Sequence, residues 1–152
     1  MKLTKSTIAA GVFLIFGTSL AYADNCTGLD VSVMRATETT DLGKGHTIKT
    51  LSLYSQNVSA DSSKRNGTTG ECSGVVLLTP DGKWQAKGYC AWRDKDGDTY
   101  SQSWHKAPEA DKGAWKTTGG TGKFASMQDS GWWQFAWEDG VMQTNTWGGT
   151  CQ

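Results

Sequence analysis

Two cysteines flank a hairpin whose geometry can be read from the sequence. Between Cys72 and Cys90, two alternating segments are joined by the tripeptide Pro-Asp-Gly at positions 80–82. Proline presets the first position of a three-residue hairpin loop, and glycine supplies the positive φ that closes it. Such a loop pairs Thr79 with Lys83. Counting seven residues back along each arm then places the two cysteines opposite each other in a non-hydrogen-bonded pair, where side chains come closest. The sequence therefore predicts a Cys72–Cys90 disulfide.

The remaining cysteines, Cys26 and Cys151, lie near the two ends of the chain. With the first bridge assigned, they form the second one, which joins the first and last segments of the domain. Disulfides persist in oxidising compartments. The cysteines therefore indicate a protein that acts outside the cytoplasm.

The N-terminus independently indicates export. Lys2 and Lys5 precede an apolar run over 8–20, and small residues follow at 21–23. This pattern is typical of a secretory signal peptide, and the run is short for a membrane span. We expect a signal peptide at 1–23, a single domain at 24–152, periplasmic or secreted localisation, and no membrane partner once the leader is removed.

Charge excludes nucleic acid as a partner. The chain has 15 basic and 15 acidic residues. Removing the leader takes away two lysines, so the mature balance is 13 against 15, a net charge of −2. Neither sign forms the basic patch that nucleic-acid binders use.

Short alternating segments punctuated by glycine predict an all-β domain. Segments that alternate in hydrophobicity or are rich in β-branched and aromatic residues predict strands near 29–36, 46–58, 71–79, 83–93, 98–105, 113–118, 122–127, 131–138 and 141–148. Two polar stretches, 59–70 and 105–113, are typical of exposed loops. Consecutive hairpins and a bridge between the chain ends favour a closed antiparallel barrel of about eight strands, because closure removes exposed edges. A β-sandwich is the alternative.

The hairpin register assigns an inner face. On the strand after the first hairpin, residues 84, 86, 88, 90 and 92 share one side, which we take as the inside. A three-residue loop at 95–97 would pair Tyr100 with Trp92, Gln102 with Cys90 and Trp104 with Gly88. A two-residue loop would shift this register by one and reverse the faces.

Eight tryptophans in so small a domain predict aromatic walls around a cavity. The alternative is that large rings simply fill the barrel and surround its rims. Polar side chains that could orient a ligand are also expected on the inner face. The candidate ligand-binding residues are Trp92, Tyr100, Gln102, Trp104, Trp133 and Asn145.

Patterns for other chemistries are weak. Asp94, Asp96 and Asp98 alternate in a turn, but the rest of an EF-hand loop is missing, so a solvated hairpin tip is the better interpretation. His46 and His105 lack zinc-ligand spacing, and no GxSxG nucleophile elbow occurs. We therefore expect no metal and no cofactor.

One glycine-rich segment resembles a known family. Residues 119–125 read GGTGKFA and are followed by Ser130, Gly131 and Trp132. This is similar to the GGTGKF segment of the allene oxide cyclase and dirigent-like barrel superfamily, where it forms a corner between two strands, although Ser126 stands where family members usually have glycine. The resemblance implies an eight-stranded barrel with an apolar cavity open at one end. It also implies either a cyclisation or the steering of a reactive molecule, and plant relatives bind hydrophobic or phenolic compounds. No motif carries the family's catalytic positions onto this chain.

Three functional hypotheses follow. The first is a barrel that binds a small hydrophobic or aromatic molecule in a tryptophan-rich cavity. The second is a cofactor-independent isomerase or cyclase, which needs an ionisable side chain inside that cavity. The third is an interaction or inhibitor module that acts through its loops and has a filled interior.

Overall fold

The computed structural model describes residues 24–59 and 64–151. The predicted signal peptide at 1–23 lies outside the described residues. Eight strands and one short 3-10 helix follow one another along the chain. Their bounds are β1 Asp24–Gly43, β2 His46–Ser59, β3 Thr69–Leu78, β4 Trp84–Arg93, β5 Thr99–Lys106, β6 Gly113–Gly120, the 3-10 helix Gly122–Phe124, β7 Ser130–Glu138 and β8 Met142–Cys151. Within the described ranges, no helix has the length and apolar character needed to cross a membrane.

The strands form a closed barrel in sequence order, and β1 pairs antiparallel with β8. The predicted closed antiparallel barrel is confirmed, and the sandwich alternative is excluded. Cys26 on β1 and Cys151 on β8 are joined by a disulfide with a Cα–Cα distance of 5.8 Å. The bridge lies beside the seam where the first and last strands meet.

The first predicted hairpin is present with the predicted register. The Thr79 amide donates to the Lys83 carbonyl, and Gly82 has a φ of 77°. Cys72 is opposite Cys90, and the two form a disulfide with a Cα–Cα distance of 4.0 Å. This short separation is the one expected for a non-hydrogen-bonded antiparallel pair.

The second hairpin has the three-residue loop. The Asp94 amide donates to the Asp98 carbonyl, and Gly97 has a φ of 91°. The pairs Trp92–Tyr100, Cys90–Gln102 and Gly88–Trp104 follow as predicted. Burial alternates along β4 accordingly, because residues 86, 88, 90 and 92 are buried whereas 85, 87, 89 and 91 are exposed.

Asp94 and Asp98 in the turn between β4 and β5 make structural contacts. Asp94 accepts hydrogen bonds from the amides of Asp96 and Asp98, and it forms an ion pair with Lys123 at 2.6 Å. Asp98 accepts from the Lys123 amide. These contacts join the turn to the segment that follows β6.

β1 is much longer than the predicted strand at 29–36. It pairs with β8 only as far as Val33, whereas its pairing with β2 continues to Gly43. A bulge at Arg35 separates the two regions. Beyond Val33, β1 therefore pairs with β2 alone, and it carries exposed polar residues such as Glu38.

The prediction of a strand at 122–127 is wrong. Gly122 has a φ of 50°, and successive i to i−3 hydrogen bonds turn the chain through 121–127. Phe124 is fully buried. The glycine-rich segment is thus a corner between β6 and β7, as the resemblance implied, but it is helical rather than extended and holds Phe124 inside the barrel.

The prediction that residues 59–70 form an exposed loop is also wrong in part. Arg65 and Thr68 are buried, with 3% and 0% of their surface exposed. This loop connects β2 to β3 and reaches the end of the barrel interior that also holds Phe124, so it closes that end. The opposite end carries the β1–β2, β3–β4, β5–β6 and β7–β8 connections.

Candidate functional site

The barrel encloses a cavity. Its volume is about 100 Å³. Trp84, Trp133 and Phe135 line it and also border a groove on the outside, so they form its mouth. The mouth is at the end of the barrel opposite the Arg65 loop.

Aromatic rings form most of the wall, and several meet at right angles. Trp104 and Trp133 are at 86° with 5.9 Å between ring centroids, and Trp115 and Trp147 are at 90° with 6.2 Å. Phe135 meets Trp133 at 85°. All of these side chains line the cavity. In each of these pairs, the edge of one ring therefore meets the face of the other.

Glycines on the inner face make room for the rings. The Trp104 ring packs over Gly74 and Gly88, which are opposite each other on β3 and β4. The Trp147 ring packs over Gly28 on β1 in the same way. A Cβ atom at any of these glycines would collide with the indole. Small residues thus allow tryptophans to lie against the wall.

A buried ion pair forms the closed end. The Arg65 guanidinium contacts the Asp129 carboxylate at 3.2 Å, and both side chains are almost completely buried. The same guanidinium lies over the rings of Tyr100 and Trp115, 4.7 and 4.5 Å from their centroids. It also donates to Gln102 Oε1 at 3.2 Å. Arg65 therefore joins the loop to the barrel wall.

Polar side chains extend this network. The Asn57 amide donates to the Tyr100 hydroxyl at 2.9 Å and to the Thr68 hydroxyl at 3.2 Å. Burial raises the pKa of the Tyr100 phenol, and this outweighs the opposing effects of nearby Arg65 and of its hydrogen bonds. Tyr100 is therefore a neutral, buried phenol at physiological pH.

One carboxylate borders the cavity. Asp30 lies on the inner face of β1, opposite Asn57 on β2 and Asn145 on β8. It accepts hydrogen bonds from the Ser32 hydroxyl at 3.1 Å and from the Asn145 amide at 3.4 Å. Burial raises the pKa of Asp30 to about 6, although these two hydrogen bonds oppose the shift. Asp30 keeps some accessible surface because it borders the open space.

Several polar atoms of the wall have no hydrogen-bond partner. Among the described residues, these are the indole nitrogens of Trp92, Trp133 and Trp147 and Oδ1 of Asn145. Buried polar groups normally find partners, and each exception needs an explanation. A bound molecule with suitable polar atoms would provide partners for them.

Five of the six candidate residues border the cavity, namely Trp92, Gln102, Trp104, Trp133 and Asn145. Tyr100 does not. It is 1% exposed and lies beneath the cavity, stacked on Trp92 and packed against Phe124. Its ring supports the closed end instead of the wall. A role for these residues in ligand binding stays a prediction.

Sequence reasoning missed the two charged wall residues, Asp30 and Arg65. Asp30 could have been found, because it shares an inward alternation with Ser32 along β1. Arg65 offered no such signal, because it occurs in a polar loop and its partner Asp129 is 64 residues away.

No protein-family model and no curated protein matches this sequence. Among solved structures, the chain is similar to the pterocarpan synthase dirigent protein GePTS1, with a TM-score of 0.53 and 13% sequence identity. The alignment covers 84% of this chain and 88% of that protein. The chain therefore has a dirigent-like barrel fold.

Proposed function

We propose that this protein binds a small hydrophobic or aromatic molecule inside its tryptophan-lined cavity, and that it acts in the periplasm or outside the cell. The observation that carries the proposal is open space of about 100 Å³ between aromatic faces, with a mouth at one end. An enclosed apolar cavity of about 150 Å³ holds benzene, so a molecule of that size would fill the smaller space here and extend into the mouth. The two disulfides and the signal-like N-terminus support the location.

The open space favours binding over the interaction-module hypothesis, because that hypothesis expects a filled interior. The fold of GePTS1, a pterocarpan synthase dirigent protein, is compatible with a barrel that acts on small molecules. A shared fold is not by itself evidence of a shared function. The proposal therefore rests on the cavity and its lining.

A variant that fills the cavity tests the proposal. Ala86 is buried and borders the cavity, whereas Ala91 lies on the outer face of the same strand. We expect small aromatic molecules to quench tryptophan fluorescence and raise the melting temperature of the unmodified protein. Ala86→Phe should weaken this binding at least about tenfold, which corresponds to about 1.4 kcal/mol. Ala91→Phe should leave it unchanged. Equal responses of both variants, or no response of the unmodified protein to any compound, would contradict the proposal.

A second candidate function is a cofactor-independent isomerase or cyclase, and Asp30 is the observation that favours it. A carboxyl with a pKa of about 6 beside open volume can donate and accept protons near neutral pH. We expect the protein to accelerate exchange of the α protons of 2-indanone for deuterium, followed by NMR in heavy water. Asp30→Asn should return the rate to that of buffer. Exchange that is no faster than in buffer alone, or unaffected by this substitution, would exclude the role of Asp30.

A further inference from the structure

We propose that the preferred occupant of the cavity is an organic ammonium cation with apolar substituents and an oxygen atom, held between the Asp30 carboxylate and the faces of the surrounding tryptophans. This inference rests on the proposed binding function. It adds the charge of the ligand, which neither the fold nor the aromatic content specifies.

The Asp30 carboxylate has no cationic side chain paired with it among the described residues. Within residues 24–59 and 64–151, its hydrogen-bond donors are the neutral side chains of Ser32 and Asn145, and no lysine or arginine forms an ion pair with it. The other charged side chain in the cavity wall, Arg65, has Asp129 as its ion-pair partner. A buried carboxylate without a counterion is costly, and a positively charged ligand would compensate it.

A tryptophan ring lies close to the Asp30 carboxylate. Trp147 is two residues beyond Asn145 on the inner face of β8, and its ring packs over Gly28, which is two residues before Asp30 on β1. An indole ring therefore lies next to the carboxylate. Trp133 is opposite Trp147 on the neighbouring strand and also lines the cavity.

An indole ring beside a carboxylate suits a cation with apolar substituents. The negative faces of tryptophan rings attract ammonium groups, and aromatic cages recognise quaternary ammonium ligands. A neutral hydrocarbon would contact the same rings but would leave Asp30 without a counterion. The carboxylate therefore favours a cationic ligand over a neutral one of the same shape.

The cavity wall also contains indole N–H groups that could donate hydrogen bonds to a ligand. The indole N–H groups of Trp92, Trp133 and Trp147 have no acceptor among the described residues. A hydroxyl, ether or carbonyl oxygen on the ligand could accept from one of them and so reduce the cost of burying it. An oxygen-bearing ammonium ion thus satisfies the carboxylate, the ring faces and one or more donors together.

Two probes of the same shape separate the effect of the ligand's charge from the effect of its shape. Choline and 3,3-dimethylbutan-1-ol have the same shape, but only choline is positively charged. We expect calorimetric titration at pH 8 to show choline binding at least about tenfold tighter than the neutral alcohol. Asp30→Asn should remove this preference while binding of the alcohol persists. Glu38→Gln is the control, because it makes the same charge change on an exposed residue outside the cavity.

The pH dependence gives an independent readout. Protonation of Asp30, whose pKa is about 6, should weaken choline binding about tenfold between pH 8 and pH 5, whereas the affinity for the alcohol should not change. Among the described residues, the other titratable or charged groups near the cavity are Arg65, its partner Asp129, Tyr100, whose raised pKa keeps it neutral over this range, and Lys106, whose ammonium lies over the Trp84 ring at the mouth. Asp30→Asn should abolish the pH dependence.

The outcomes separate this inference from the function on which it rests. Equal affinity for the two probes, or a choline preference that persists in Asp30→Asn, would overturn the cation inference and leave the cavity as a binding site for neutral molecules. If neither probe and no aromatic compound binds, the proposed function fails as well. Should Asp30→Asn bind neither probe, a melting curve that shows a folded protein would count against the inference.

Discussion

Replacing Asp129 with asparagine tests the closed end of the barrel. The Arg65 and Asp129 side chains have 3% and 1% of their surface exposed, and their charged atoms are 3.2 Å apart. Removing one member of a buried ion pair leaves the other charge in a region of low dielectric, which typically costs about 3–5 kcal/mol. Because small domains are stable by about 5–15 kcal/mol, this is a large fraction of the total.

The chain offers a matched control on its surface. Arg35 and Glu71 form an ion pair at 2.7 Å, but their side chains are 55% and 67% exposed. Exposed pairs contribute about 0–1 kcal/mol because water screens them. Glu71→Gln should therefore lower the free energy of unfolding by less than about 1 kcal/mol.

Urea denaturation followed by tryptophan fluorescence measures both effects. If Asp129→Asn does not fold, the double variant Arg65→Met/Asp129→Leu provides the comparison, because replacing both charges with apolar groups of similar volume avoids the buried, uncompensated charge. We expect the double variant to be more stable than Asp129→Asn. The reasoning is refuted if Asp129→Asn is no more destabilising than Glu71→Gln, or if the double variant is the least stable of the three.

Three further predictions concern the wall. Gly74→Ala should cost about 1–3 kcal/mol in unfolding experiments because it displaces the indole above it, whereas Gly119→Ala, whose nearest neighbour would be 3.6 Å away, should change stability by less than about 0.5 kcal/mol. Because the folded-state pKa of Asp30 is raised, its ionisation destabilises the fold. Between pH 4 and pH 7, Asp30→Asn should therefore gain up to about 3 kcal/mol relative to the unmodified protein in urea denaturation, and a constant difference would contradict this. In Cys72→Ala, alkylation of the unfolded, non-reduced protein should label Cys90 alone, and labelling of any other cysteine would refute the pairing.

Local geometry made the hairpins predictable. The Pro-Asp-Gly loop fixes both register and face, so the cysteine pairing follows from counting residues, whereas the three pairs across β4 and β5 follow only once the structure shows a three-residue loop at 95–97. These predictions depend only on contacts between neighbours in the sequence. The barrel closure then followed from the second disulfide and from the need to remove strand edges.

Long-range contacts could not be predicted in this way. The burial of Arg65 depends on Asp129 and on the Tyr100 and Trp115 rings, which three different segments of the chain supply. The helical turn at 122–127 contains Gly122 at a positive φ, and Asp98 from the β4–β5 turn accepts a hydrogen bond from the Lys123 amide within it. Alternation along β1 indicates that Asp30 points inward, but the residues opposite it, Asn57 and Asn145, come from β2 and β8.

A crystal structure of the mature protein soaked with bromobenzene tests the central claim most directly, because bromine can be located by its anomalous scattering. The account predicts a bromine peak inside the barrel, in the cavity that Trp104 and Trp133 border. Peaks found only on the outer surface, such as in the groove beside Val58 and Trp132, with an empty interior, would contradict it.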